Sequence, residues 1–237
     1  MDTKDPPYDP SQFPRFAVTT DIVLFTLRDR RLHVLLIRRK ESPFAGQWAL
    51  PGGFVRPDET LAQSAKRELA EETGVEGVAL TQFQAFGEPG RDPRETAGAQ
   101  PLRIVTVGYT ALVPGADSAR IVLHAQTDAA EADWHPTGGL PQPLAFDHAK
   151  ILDYALAALR RRLEEGRSVA EGLLPTRFTL TEMQEVYEAL RGEAEDKRNF
   201  RKWVISQGWV TPTEGERRGA HRPAQLYEFT PLPENSF

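Results

Sequence analysis

The alternation of apolar and polar residues predicts β-strands in the first half of the chain. Runs of β-branched and apolar residues that end at charged or turn-forming residues are typical of strands. Such runs predict strands at residues 17–27, 31–39, 78–86 and 103–113. The polar segment 28–30 predicts a hairpin between the first two strands. Residues 87–101, which are rich in glycine, proline and charge, predict a long loop of the kind that often carries function.

Helical spacing of apolar residues predicts two helices that flank these strands. Residues 61–73 contain no glycine or proline and combine apolar residues with strong helix formers. Asp58 or Thr60 can cap the start of this helix, and Gly74 can end it. Residues 144–166 predict a longer amphipathic helix. Together these elements predict an α/β fold in which a mixed sheet lies between helices as an α/β/α sandwich.

The C-terminal part of the chain follows a different pattern, which predicts a second domain. Residues 166–175 read as a short linker. Two helices and two strands are predicted after it, at residues 178–190, 196–208, 209–211 and 224–229. Thr179 or Thr181 can cap the first of these helices. Two helices followed by a hairpin are the pattern of a winged helix-turn-helix domain.

Composition bounds the class of protein. The 237 residues include no cysteine, which excludes disulfides and thiol chemistry, and the apolar runs are too short to cross a bilayer. The polar, proline-rich N-terminus does not resemble a signal peptide, so we expect a cytoplasmic protein without membrane partners. The chain is therefore divided into a proline-rich lead, an α/β domain, a linker and a winged-helix domain, at residues 1–14, 15–165, 166–175 and 176–237.

Charge is distributed unevenly along the chain. The net charge of −5 predicts no general attraction to nucleic acid, but residues 196–222 carry seven basic and three acidic side chains, a net charge of +4. This charge lies on the second helix and the hairpin tip, the elements that meet DNA in winged-helix domains. We expect double-stranded DNA to bind through Lys197, Arg198, Asn199, Arg201, Lys202, Arg218 and Arg222. The alternative is a packing or dimerisation module, and we expect a homodimer.

Three glutamates lie close together on the helix predicted at residues 61–73. Glu68 and Glu72 share one face of this helix, and Glu71 lies beside them. Like charges at this spacing disfavour a helix unless a cation neutralises them, and oxygen ligands suit Mg²⁺ or Mn²⁺. The three glutamates therefore predict a divalent metal site, with a backbone carbonyl at Gly52 or Gly53 as a further candidate ligand. The alternative is a solvated helix face with Glu–Arg pairs.

The glutamates belong to a longer pattern that runs from Gly53 to Val75. Its nine fixed positions, Gly-x5-Glu-x7-Arg-Glu-Leu-x-Glu-Glu-x-Gly-Val, are all filled. This segment resembles the signature sequence of the Nudix hydrolase family. The resemblance implies the Nudix fold for residues 15–165 and metal-dependent cleavage of a phosphoanhydride bond in an ADP-ribose-like nucleotide. It also implies that Arg67 and Glu59 pair and brace the helix.

Further site residues are assigned in other parts of the chain: Arg38 and Arg39 end a strand just before the pattern, Arg91 and Arg94 lie in the long loop, and His148 lies at the start of the long helix. The general base stays open between a glutamate of the row and Glu131, which can equally be an ordinary loop carboxylate. We assign catalytic roles to Glu59, Arg67, Glu71, Glu72 and Glu131. Candidates for contact with the substrate are Arg38, Arg39, Arg91, Arg94 and His148. For His148 the alternative is a capping or core role, and for Arg38 and Arg39 it is a solvated strand end.

The two halves together resemble a narrower group, the Nudix-related transcriptional regulators of NAD metabolism (NrtR). The segments that resemble this group are residues 86–94, 144–148, 196–201 and 222–227. The resemblance implies a DNA-binding regulator whose Nudix domain senses ADP-ribose. In such regulators the glutamates are often lost, whereas here they are complete. The sequence therefore favours hydrolysis, with a regulator that senses ADP-ribose as the alternative and a protein that does both as a third interpretation.

Overall fold

The computed structural model describes residues 9–97, 102–119, 121, 123, 129–217 and 223–231. Its strands are β1 (Phe16–Arg28), β2 (Arg31–Arg39), β3 (Trp48–Ala49), β4 (Gly52–Phe54), β5 (Thr81–Phe86), β6 (Arg103–Val113), β7 (Ala129–Pro136), β8 (Val210–Arg217) and β9 (Ala224–Phe229). Its helices are α1 (Leu61–Thr73), α2 (Gly115–Ser118), α3 (His148–Glu165), α4 (Ser168–Leu173), α5 (Leu180–Arg191) and α6 (Lys197–Ser206).

A mixed sheet forms the centre of the N-terminal domain. Its main order is β3-β2-β1-β6-β5, while β4 pairs with β1 and β7 pairs with β2. Strands β1 and β6 are parallel, and the other pairs are antiparallel. Successive residues of β1 face opposite sides, so Ile22 and Leu24 pack with α1, whereas Val23 and Phe25 pack with α3. The predicted α/β/α sandwich is confirmed.

Local sequence determines the ends of α1. Thr60 accepts a hydrogen bond from the backbone N–H of Gln63 at 3.2 Å, and the Gln63 side chain accepts one from the N–H of Thr60 at 2.8 Å. This reciprocal capping box selects Thr60 over Asp58 as the N-cap. Gly74 ends the helix with a φ of 76°, a conformation that favours glycine. The glutamates are therefore carried on a well-defined helix.

The C-terminal residues form the predicted winged helix. Helices α5 and α6 make the helix-turn-helix, with Tyr187 of α5 packed against Phe200 of α6, and β8 pairs with β9 as the wing. Phe178 adds a third, single-residue pairing, because its backbone exchanges two hydrogen bonds with Tyr227. Thr179 rather than Thr181 caps α5, through a capping box with Glu182.

Several predicted boundaries differ from the structure. The segment 166–175 is not an extended linker, because it contains α4, whose Val169, Ala170 and Leu173 are buried in the same apolar cluster as residues of β1, α3 and α5. Strand β5 begins at Thr81 rather than at residue 78, and β7 was not predicted. None of the helices in the described part of the chain is long and apolar enough to cross a membrane.

Candidate functional site

One cleft in the N-terminal domain collects most of the predicted site residues. It has a volume of about 410 Å³ and lies where β1, β4, α1, the β5–β6 loop and the start of α3 meet. Its lining includes Asp21, Arg39, Gly52, Gly53, Phe54, Arg56, Arg67, Glu68, Glu71, Glu72, Arg91, Asp92, Arg94, Phe146 and His148. Both acidic and basic groups face this space, so the cleft is polar and balanced in charge.

Arg67 is the centre of the acidic side of the cleft. Its guanidinium donates to both carboxylate oxygens of Glu59, at 2.9 and 2.6 Å, and to Glu68 at 2.7 Å and Glu71 at 3.1 Å. A further bond reaches the backbone carbonyl of Phe54 at 3.1 Å. The hydrogen bonds from Arg67 lower the pKa of Glu59 to about 2. One cation thus connects α1 to the segment that precedes it and partly neutralises the row.

The three glutamates of the row have different surroundings. Burial raises the pKa of Glu68, and the adjacent Arg67 opposes this effect. Glu71 is more exposed and also lies 3.4 Å from Arg56. Glu72 is buried, and its Oε2 accepts a hydrogen bond from the N–H of Gly52 at 2.8 Å. The row therefore extends from the solvent edge of the cleft to its buried floor.

The glycines Gly52 and Gly53 allow the β4 backbone to approach these groups. A β-carbon at Gly52 would lie 2.1 Å from the backbone oxygen of Thr20, and one at Gly53 would lie 2.4 Å from Glu68 Oε1. Any side chain at position 52 would clash with backbone, whereas one at position 53 would displace a carboxylate. The second glycine thus leaves space at the metal-ligand position that the sequence predicts.

The donor set fits a hard divalent cation in kind, because the cleft presents carboxylate and carbonyl oxygens. Among the residues described, however, no three acidic or histidine side chains converge as a ready-made metal site. Arg67 bonds to both Glu68 and Glu71, and Glu72 faces the Gly52 amide. A cation held by these glutamates would have to compete with Arg67. The metal ligands Glu68, Glu71, Glu72 and Gly53 remain a prediction.

A buried ionic network forms the opposite wall. The side chain of Arg91 is 4% exposed. It binds Asp147 through two hydrogen bonds of 3.0 and 2.5 Å and lies 3.7 Å from Asp21. His148 accepts a hydrogen bond from the N–H of Leu50 at its Nδ1, at 2.8 Å, and its Nε2 lies 3.5 Å from Asp21. Burial lowers the pKa of His148. Because Nδ1 accepts the hydrogen bond from Leu50, a neutral ring carries its proton on Nε2. Arg91 and His148 therefore hold the wall together.

Arginine and aromatic side chains alternate near the mouth of the cleft. The Arg94 guanidinium lies over the rings of Phe54 and Phe146, at 4.7 and 5.0 Å from their centroids, and binds Asp92 at 2.6 Å. Arg39 lies over the same Phe146 ring at 5.0 Å. Phe146 has a φ of 52°, which is uncommon for a bulky residue and occurs at functional positions. This group offers positive charge and apolar ring faces together.

Three residues predicted for this site do not line the cleft: Glu59, which bonds to Arg67 behind it, and Glu131 and Arg38, which lie farther away. Glu131 is on β7 rather than in a loop, and it pairs in register with Arg38 of β2. Their side chains lie 3.8 Å apart, and both are about half exposed. Neither residue is part of the cleft lining. The prediction that Glu131 lies in a loop is wrong, because it lies on β7 and pairs with β2, whereas the roles of Glu131 as general base and of Arg38 as a substrate ligand stay predictions that the cleft lining does not support.

The predicted DNA-binding residues on α6 share one exposed surface. The solvent-exposed residues of this helix include Lys197, Arg198, Asn199, Arg201 and Lys202. Asp196 caps the helix by accepting from the backbone N–H of Asn199 at 2.9 Å. Arg201 also donates to the hydroxyl of Tyr227 in the wing at 3.1 Å. Arg218 and Arg222 lie outside the described residues.

Sequence reasoning missed several cleft residues. Asp21 lies within the apolar run of β1, and a buried carboxylate there is a signal that could have been used. Arg56, Asp92 and Phe146 reach the cleft through turns and loops, for which the sequence pattern gives no direction.

The fold and the cleft define a class of two-domain protein, in which a Nudix-type domain precedes a winged helix. The family model of the NUDIX domain matches residues 16–155, and that of the NrtR DNA-binding winged helix domain matches residues 171–229. The chain therefore belongs to the NrtR group of the Nudix family.

Comparison with individual proteins gives the same relationship. The chain is 35% identical to the ADPR responsive transcriptional repressor NtrR of Acinetobacter baylyi over 94% of its own length and 85% of the relative's. It is similar to the crystal structure of Shewanella oneidensis NrtR complexed with a 27mer DNA, with a TM-score of 0.71, 35% identity, and coverage of 90% of this chain and 93% of that one. The NUDIX domain of that NrtR complexed with ADP ribose matches 66% of this chain and 94% of its own, with a TM-score of 0.54 and 38% identity.

Proposed function

We propose that this protein is a transcriptional regulator whose Nudix domain binds ADP-ribose or a closely related nucleotide and whose winged helix binds double-stranded DNA. The observation that carries this proposal is the union, in one chain, of a polar nucleotide-sized cleft with an exposed basic helix on a winged-helix domain. Similarity over 94% of the chain to an ADPR responsive repressor supports the same pairing of ligand and DNA.

The cleft offers groups suited to each part of such a nucleotide. Arg39 and Arg94 supply guanidinium groups for phosphate oxygens, and the rings of Phe54 and Phe146 supply faces for a base. Glu68 and Glu71 would repel a diphosphate, because Arg67 neutralises the row only in part, and a divalent cation would supply the remaining positive charge. This proposal therefore predicts that nucleotide affinity responds to divalent cations.

The DNA interface would rest on α6. Its four exposed cations can neutralise phosphates, and Asn199 can contact a base edge or a phosphate. Arg201 would enter the interface already oriented by its hydrogen bond to Tyr227. Affinity for DNA should therefore fall steeply as salt is raised, because each neutralised phosphate releases counterions.

Two binding measurements test the regulator. Isothermal titration calorimetry should show ADP-ribose binding, with affinity that differs between EDTA and Mg²⁺. Fluorescence anisotropy of a labelled random-sequence duplex should show binding at low salt that ADP-ribose weakens. Replacing Lys202 with alanine should weaken DNA binding and leave ADP-ribose binding unchanged, whereas Arg161→Ala on α3 should change neither. Absence of duplex binding at low salt would refute the DNA-binding half of the proposal.

Hydrolysis of the bound nucleotide is a second candidate, favoured by the completeness of the glutamate row. Glu68, Glu71 and Glu72 all line the cleft, and a divalent cation held by them would neutralise charge on the diphosphate. Attack of water on ADP-ribose would yield AMP and ribose 5-phosphate. AMP release in Mg²⁺ or Mn²⁺ that is lost in Glu72→Gln is the expected result. No turnover by the unaltered protein, together with tight ADP-ribose binding, would rule out hydrolysis and support the regulatory function only.

A further inference from the structure

The long helix α3 touches the cleft with its first turn. Asp147, which immediately precedes the helix, binds Arg91 of the cleft wall, and His148 accepts a hydrogen bond from Leu50. Lys150, in the first turn of the helix, binds Glu88 at the base of the same loop at 2.5 Å. Asp147 makes no capping bond to its own helix, because its carboxylate is turned to Arg91. The start of α3 is thus attached to the wall that a ligand would contact.

The last turns of α3 are hydrogen-bonded to the end of α5. Arg160 donates a hydrogen bond to the backbone carbonyl of Leu190 at 2.8 Å. Glu164 accepts two hydrogen bonds from Arg191, at 2.9 and 3.0 Å. Bidentate pairs of this kind fix both distance and orientation. The last turns of α3 therefore hold the last turn of the first helix of the helix-turn-helix.

Arg191 of α5 also contacts α6, the second helix of the helix-turn-helix. The same guanidinium also binds Glu195 in the turn and lies over the rings of Tyr187 and Trp203, at 5.1 and 5.9 Å. Trp203 belongs to α6, the helix that carries the exposed cations. One side chain thus contacts α3, α5, the turn and α6. Among the described residues, the nearby Tyr187 hydroxyl is buried without a hydrogen-bond partner, so one polar group is left unsatisfied where α3, α5 and α6 meet.

Helix α3 is a continuous element that connects the two regions. Its 18 residues span about 27 Å without an internal glycine or proline, and its inner face is buried in the apolar core. Another polar connection between the domains runs from Arg30, whose side chain is 67% exposed, to Glu185 and Glu188 through single contacts of 3.3 Å. The contacts of α3 differ from it in geometry, because Glu164 accepts two hydrogen bonds from one guanidinium and Arg160 bonds to a backbone carbonyl.

We infer that α3 couples the nucleotide cleft to the helix-turn-helix, with Arg160 and Glu164 as its coupling residues. A ligand that displaces Arg91 from Asp147 releases the start of α3, and the resulting shift changes the position of α5 and α6 through Leu190 and Arg191. The inference rests on the proposed function, because it requires a ligand in the cleft. By linkage, DNA on α6 must alter the ligand affinity of the cleft by the same factor.

Hydrogen–deuterium exchange of the full-length protein, with and without saturating ADP-ribose, tests this inference. In the unaltered protein we expect ADP-ribose to protect residues 87–97 and to change exchange rates in residues 188–206 by roughly fivefold or more. The variant Arg160→Ala/Glu164→Gln should keep the protection of residues 87–97 and lose the change in residues 188–206. The single variant Glu164→Gln, at a position 58% exposed, should reduce that change without affecting folding.

The neighbouring pair Arg161 and Glu165 provides a matched control. These two residues lie on α3 and pair with each other at 3.6 Å on the exposed surface. The variant Arg161→Ala/Glu165→Gln makes the same chemical changes and should behave as the unaltered protein. The inference is overturned if the Arg160/Glu164 variant retains the change in residues 188–206, or if the unaltered protein is protected at residues 87–97 alone. No response in either segment would instead overturn the proposed ligand, and the inference with it.

Discussion

Arg67 bonds to both carboxylate oxygens of Glu59 while the same guanidinium bonds to Glu68 and Glu71. A lysine cannot reproduce these bonds, because it presents a single charged nitrogen. We expect Arg67→Lys to lower the free energy of unfolding by about 1–3 kcal/mol. Urea denaturation measures this loss. Lys66→Ala, at an exposed position one residue away, should change the stability by less than about 0.5 kcal/mol, and an equal effect of the two substitutions would contradict the prediction.

The Glu59 carboxylate predicts a stability change in acid. Its pKa is lowered from 4.5 to about 2 in the folded protein, so the unfolded chain takes up its proton first as the pH falls. The stabilisation is complete above 4.5 and is lost as the pH falls towards 2. The difference in unfolding free energy between the unaltered protein and Glu59→Gln should therefore shrink between about pH 5 and about pH 3. A difference that stays constant over this interval would show that the pair does not act in this way.

His148 predicts a second effect of pH on stability, over a different pH range from that of Glu59. Its pKa is lowered by burial in the folded protein, although Asp21 and Asp147 oppose the shift, while Arg91 and Arg39 reinforce it. Below its ordinary value of 6.5 the unfolded chain binds a proton that the folded protein does not, so stability falls as pH falls.

We expect His148→Gln to remove this part of the decline in melting temperature between about pH 7 and about pH 5. The matched variant His33→Gln alters an imidazole on β2 that lies outside the cleft and should leave the decline in place. Identical pH profiles for the His148 variant and the unaltered protein would rule out this assignment.

Alanine substitutions at the two adjacent glycines of β4 should have different effects. Gly52→Ala would place a methyl group 2.1 Å from a backbone oxygen of β1, which must shift, so we expect a loss of more than about 2 kcal/mol of stability. Gly53→Ala meets the end of the Glu68 side chain at 2.4 Å instead. It should cost less stability than Gly52→Ala, because a side-chain end moves in place of backbone, and it should weaken the effect of Mg²⁺ on ADP-ribose binding. Scanning calorimetry measures the stability of both variants, and titration calorimetry measures their ADP-ribose binding with and without Mg²⁺. Equal destabilisation of the two variants would contradict this account.

The buried hydroxyl of Tyr187 predicts a substitution without penalty. Burial raises the pKa of Tyr187 to about 12, and the hydroxyl has no hydrogen-bond partner among the described residues. Tyr187→Phe removes an unpaired polar atom and keeps the ring, so we expect stability to be unchanged or to rise by about 1 kcal/mol. Tyr187→Leu, which removes the ring contacts with Phe200 and Trp203, should be clearly destabilising in the same denaturation assay. Loss of stability in the phenylalanine variant would reveal a bound water.

The accuracy of the sequence predictions followed the range of the interactions involved. Helix α1 was predicted to the residue, because its periodicity and its capping groups Thr60 and Gly74 are local. Strand β7 was missed because its residues, Ala-Ala-Glu-Ala-Asp-Trp-His-Pro, have weak strand propensity and gain their conformation from pairing with β2. The six residues of α4 are too few for a period to be recognised.

The candidate site shows the same limit. The glutamate row and Arg67 were found because they share one short segment, and both line the cleft. Asp21 and Phe146 come from two other segments, so only the folded chain brings them to the row, and Arg56 was missed because it fills a variable position of the pattern. Glu131 was assigned as a loop residue, and the register with Arg38 placed it at the sheet edge. The homodimer stays a prediction.

The β5–β6 loop has a consequence for how tightly a ligand binds. Glu95, a buried carboxylate, accepts hydrogen bonds from the backbone N–H groups of Gly90 at 2.8 Å and Ile104 at 3.1 Å, and Asp92 accepts from that of Arg94. The described part of this loop is therefore already folded around its own acidic side chains before any nucleotide arrives. The conformational entropy of these described residues is lost when the chain folds, so nucleotide binding does not have to order them, and more of the interaction free energy remains for affinity.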